Sequence, residues 1–208
     1  MVASSIARSR WGIDLYWIPL GAGGSGFVSL NGRIYEMFAA MQARRRPLEI
    51  YHTALEVHIP EGRYVVETMW PRPDDEVDSR GVVLEGDVWG PVLGKSRIFR
   101  YEVRCWRDGV LPDAGAAVGG PQRVSDGTGH ALSLLAAVHS VPHLLWGRDE
   151  LGTGEMWNSN SVISWLLVQS GVPMHPIRPP LRGRAPGWDA GIAVAAVGAS
   201  GESGMVAR

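Results

Sequence analysis

Met156-Trp157-Asn158-Ser159-Asn160-Ser161-Val162-Ile163-Ser164-Trp165-Leu166-Leu167 carries a helix start and an apolar stripe, and a stop follows it. Asn158 is a favourable N-cap, because its side-chain oxygen accepts a free backbone N–H of the first turn. Val162, Ile163 and Leu166 follow Ser159 at helical spacing, so Ser159 heads the face they bury. Gly171 and Pro173 end the run, a C′ glycine followed by a residue that cannot continue a helix. The stretch therefore predicts a core helix over 158–170 with a small hydroxyl directed inward from its first turn. Free N–H groups and the positive end of the helix dipole stabilise negative charge there. The same residues also serve as plain caps, so spacing alone leaves both roles open.

Upstream, residues 48–59 alternate strictly: Thr53, Leu55 and Val57 share one face, and His52, Ala54, Glu56 and His58 the other. Pro60-Glu61-Gly62 turns the chain, and Arg63 to Met69 returns, which predicts a β-hairpin. A four-residue turn sets Glu56 opposite Glu67, on the face of His52. Further strands are expected at Leu15–Leu20, Gly81–Val88, Ile98–Trp106 and Gly191–Val197. Helices are expected from Asn31 to the arginines at 44–46 and at Ala131–Val138. Gly109 to Gly129 reads as loop. The fold class that follows is α+β: an antiparallel sheet with packed helices, the helix of 158–170 lying on one face. A single domain over 11–197 is expected, with a flexible N-terminus at 1–10 and a disordered tail at 198–208.

With 208 residues, 45% hydrophobic composition and a net charge of −1, the chain has the composition of an ordinary soluble domain. No basic excess points to nucleic acid, and no apolar run is long enough to span a bilayer. Lys95 is the only lysine among 20 basic residues, and Ala and Gly are abundant, a bias of GC-rich bacterial genomes. Cys105 is the single cysteine, so no intrachain disulfide framework exists and a reducing, cytoplasmic setting fits. The N-terminal residues lack an h-region and cleavage pattern, so secretion is not expected.

Several motifs fail on context. Gly21, Gly23 and Gly26 match the dinucleotide fingerprint, but Phe27-Val28-Ser29-Leu30 follows as a strand where the motif must open a helix. A glycine-rich hairpin turn accounts for the same residues, and dinucleotide binding is the remote alternative. Cys105 lies on a strand, away from any helix start, as an inert core thiol. His130, His139 and His143 lack metal-ligand spacing, and Gly23-Gly24-Ser25-Gly26-Phe27 breaks the nucleophile-elbow pattern at its last position. No metal and no cofactor are expected.

Together, Tyr51-His52-Thr53-Ala54-Leu55-Glu56-Val57 and Asn158-Ser159-Asn160-Ser161 resemble the circularly permuted papain-like proteins. That group includes the PPPDE peptidases, relatives of lecithin–retinol acyltransferase and permuted NlpC-type hydrolases. The resemblance covers about thirty residues in two blocks and implies that His52 stands at the family's histidine and Ser159 at its nucleophilic cysteine. It also implies a third polar residue from the following strand, for which Glu67 is the candidate. The departure is chemical: a thiol ionises near neutrality, whereas a serine hydroxyl needs a base.

Two functions follow. One is a papain-like module, catalytically degenerate, that binds a peptide or acyl ligand or a protein partner in a groove beside Ser159 and His52. Its contacts would come from Trp157, Asn158 and Asn160, and Trp188 is a further candidate wall. The other is a hydrolase or acyltransferase acting on an amide, peptide or ester. There Ser159 attacks, His52 is the base, Glu67 orients it and the Ser159 N–H supplies an oxyanion donor.

Overall fold

The computed structural model describes residues 10–20, 48–71, 81–88, 99–181 and 183–203, the side chains of 199–203 excepted. The expected glycine hairpin and helix between 21 and 46, the first nine residues and the last five lie outside the described residues. Strands β1 (Gly12–Pro19), β2 (Glu49–Ile59), β3 (Gly62–Met69), β4 (Val82–Asp87), β5 (Arg100–Arg107) and β6 (Gln122–Asp126) form one sheet. Their order is β4-β5-β3-β2-β1-β6, antiparallel at every step, and the two-residue β7 (Gly183–Arg184) runs parallel to the start of β2. Helices α1 (Thr128–Ala137), α2 (Ser159–Gln169) and α3 (Trp188–Ser203) complete an α+β domain.

Strand alternation decides what each face does. Ile13, Leu15 and Trp17 of β1, with Tyr51, Leu55 and Val57 of β2, belong to the same core as Val162, Ile163 and Leu166 of α2. Tyr16, Ile18, Ala54 and Val65 take the opposite face and meet Leu111 from the β5–β6 connection. Ile163, Leu166 and Leu167 are fully buried, each contributing roughly 1.5–3 kcal/mol of transfer free energy. The helix 158–170 is thus the central packing element of the helical layer.

Its ends form as the residues dictate. Asn158 accepts from the backbone N–H of Asn160 at 2.9 Å and of Ser161 at 3.4 Å, while Ser161 Oγ accepts from the N–H of Asn158 at 3.1 Å. This reciprocal cap satisfies donors that a bare helix start leaves exposed. At the other end the Gly171 N–H reaches Val168 O and the Val172 N–H reaches Leu167 O. Gly171 has φ +80°, the left-handed conformation that this Schellman closure requires.

Four expectations need correction. Gly191–Val197 is not a strand; it lies inside α3, with Ala190, Val194 and Ala195 buried at helical spacing. A short apolar run with Gly and Val does not distinguish the two by pattern. Helix α3 also continues to Ser203, into the expected tail. Residues 122–126 form edge strand β6 on β1, where a loop was expected; only one of its residues is buried, so it lacks an apolar signature. Finally, Ile59 pairs with Gly62 across a two-residue turn, so Glu56 faces Val65, not Glu67. The shift is two residues, which preserves the face of every side chain.

Candidate functional site

The start of α2 meets the sheet where two ladders end. β3 accompanies β2 only from Ile59 back to Leu55, and β7 takes only Glu49 and Ile50. Asn160 occupies the interval: its Nδ2 donates to Tyr51 O at 3.0 Å, and its Oδ1 accepts from Thr53 Oγ1 at 3.0 Å. Asn160 is 2% exposed and Thr53 fully buried, so these bonds form in a water-poor environment.

The neighbouring polar side chains fasten the approach to α3. Asn158 Nδ2 and Asn160 Nδ2 both donate to Pro186 O at 2.9 Å. Ser161 Oγ donates to Gly187 O at 2.8 Å, and Ser164 Oγ to Trp188 O at 2.7 Å. Gly187 has φ +84°, and a Cβ there would stand 2.6 Å from both Asn158 Oδ1 and Ser161 Oγ. Glu155 closes the loop from outside, accepting from the Gly187 N–H at 2.7 Å. Asn158, Asn160 and Ser161 therefore act as structural positioning groups. Trp157 likewise belongs to the core, its backbone bonded to Gly147 and Arg148.

Ser159 is 7% exposed and its hydroxyl makes no hydrogen bond among the described residues. His52 stands opposite Ile18 in the β1–β2 ladder, on the face of Ala54 and Leu111. The residue after it, Thr53, is the one that reaches α2. Alternation therefore directs the imidazole away from the helix that carries Ser159. Burial pulls the His52 pKa below its ordinary 6.5, and the charge of Asp113 opposes this in part. Glu67 is on the His52 face, opposite Arg104 in register and beside the buried Glu102–Arg104 ion pair at 2.8 Å. The sheet thus brings His52 and Glu67 to one side and Ser159 to the other. The expected dyad is not assembled, because the two blocks of the resemblance approach through Thr53 and not through His52.

A concave surface does lie nearby, on the far side of the Pro186–Gly187 loop. It is an open groove of about 590 Å³ whose walls include Glu155, His175, Arg178, Arg184, Trp188 and Asp189. A second void, against Trp157, measures about 10 Å³, room for no more than about one water. Ser159, His52 and Glu67 line neither. Trp188 stands on the groove wall, as expected of it; Arg178 and Arg184 carry no signal in the sequence, because loop arginines have no periodicity. Among the described residues no group of His, Cys, Asp and Glu is arranged to hold a metal ion, and no helix is long and apolar enough to cross a membrane. No protein-family model matches the chain, and no curated protein or solved structure does either.

Proposed function

We propose that this chain is a cytoplasmic, papain-like module whose serine position is catalytically silent and which binds a peptide or acyl ligand. The observation that carries this reading is the use of the Asn158–Ser161 cluster. Every one of its partnered side chains holds the loop of Pro186 and Gly187, whose chain neighbours Ala185 and Trp188 line the groove. A cluster so employed orients a binding wall. Hydrolysis would instead need a base within hydrogen-bond reach of Ser159 Oγ, and His52 makes no such bond. The binding site is accordingly placed beside Trp188 in this reading, and not beside His52.

The test uses the nucleophile position. Wild-type protein treated with a fluorophosphonate is expected to remain unlabelled at Ser159. The Ser159→Cys thiol is expected to alkylate at the same rate with His52 as with His52→Ala, since the imidazole lies across the sheet. Stoichiometric labelling of Ser159, or a thiol that slows markedly in the double variant, would establish the hydrolase instead.

A further inference from the structure

We propose that the outer end of this groove recognises a carboxylate, held by Arg178 and His175, on a ligand whose apolar chain lies against Met174, Trp188 and Ile192. The proposal rests on the ligand-binding reading above. Arg178 is pinned at one corner: its Nη1 donates to Ile177 O at 2.9 Å and to Met174 O at 3.4 Å. Its Nε and Nη2 have no protein acceptor among the described residues, and neither ring nitrogen of His175 has a hydrogen-bond or ion-pair partner there. A guanidinium fixed at one nitrogen presents the remaining donors as a fork, which matches a planar carboxylate.

The acids of the groove do not neutralise this end. Glu155 is occupied by Arg184 at 3.2 Å and by the Gly187 N–H at 2.7 Å. Asp189 is exposed on the first turn of α3, where a negative side chain complements the helix dipole. Trp188 lines the same groove; it is 4% exposed and its ring packs at a tilt against Trp17, centroids 4.9 Å apart, which makes a rigid apolar wall. A volume of about 590 Å³ falls within the range typical of small-molecule sites, roughly 300–1,000 Å³. A carboxylate on an apolar chain has two sources, the C-terminus of a peptide or a free fatty acid.

Titration calorimetry with the full chain distinguishes the outcomes. The probes are acetyl-Ala-Leu-Phe as free acid and as amide, and dodecanoate with dodecanamide. In one of these pairs the acid is expected to bind more tightly by about tenfold, the usual worth of one accessible charge-assisted pair. That pair identifies the source of the carboxylate. Arg178→Gln is expected to abolish the difference, and Arg178→Lys to restore only part of it, because the ammonium keeps the charge and loses the fork. Arg178 is exposed, and an unchanged urea midpoint confirms that the variants fold. Equal binding of acid and amide would overturn the carboxylate assignment and leave the groove as a binding site. Failure of all four probes would overturn both.

Discussion

Replacing Asn160 with alanine should unfold the junction between helix and sheet, and its cost can be worked from the bonds it removes. Three partners lose Asn160: Tyr51 O, Thr53 Oγ1 and Pro186 O. Pro186 O keeps Asn158 Nδ2, so two buried groups are orphaned. Leaving a buried donor or acceptor unsatisfied costs about 1–3 kcal/mol. The Thr53 hydroxyl can rotate towards another acceptor, so the sum is about 3 kcal/mol, a large share of the roughly 5–15 kcal/mol of a typical domain. Urea unfolding followed by tryptophan fluorescence should show the midpoint falling by roughly 1–2 M at an unchanged m-value. Thr53→Val removes one of the same bonds, so a double-mutant cycle should return a coupling on the order of 1 kcal/mol. A loss below about 1 kcal/mol for Asn160→Ala, with m unchanged, would refute the structural role assigned to the cluster.

Other outcomes test the packing and the titrations. Gly191→Ala places a Cβ 2.1 Å from both Ser161 O and Ser164 Oγ, so overpacking should cost about 1–3 kcal/mol in urea unfolding; a neutral substitution would mean that α2 and α3 pack differently. His52 has a folded pKa below 6.5, so the unfolded chain takes up the proton first. Its stabilisation is complete above that value and lost as pH falls through the folded pKa. The urea midpoint should therefore drop between about pH 7 and 5 more in wild type than in His52→Gln, and parallel curves would contradict the burial. Burial lifts the Cys105 thiol to about 11. Ellman's reagent at neutral pH should react slowly with this half-buried thiol in the native protein and fast after unfolding, and equally fast modification of both would refute the raised pKa.

What the residues determined by themselves was local. Asn158 and Gly171 bound a helix because one offers a carbonyl to free N–H groups and the other accepts φ +80°. The alternation of 52 to 58 set which side chains share a face, and a two-residue error in the turn left that assignment intact. Residues 191–197 and 122–126 are not legible locally, because one is apolar without a distinguishing period and the other is a polar edge; only the packing of α3 on α2, and the pairing of β6 with β1, decides them. The candidate site was legible as residue types and not as geometry. A pairing of Ser159 with His52 needs both on one side of the sheet, yet the local pattern cannot say which face of β2 the distant helix will cover. The core chose the face of Leu55 and Val57, because their apolar area is what Val162, Ile163 and Leu166 must bury. That choice brought Thr53 to Asn160 and left His52 on the other side. The groove, too, exists only in three dimensions: Arg178 and Trp188 are loop and helix residues ten positions apart, joined into one surface by the hydrogen bonds that hold Pro186 and Gly187 between them.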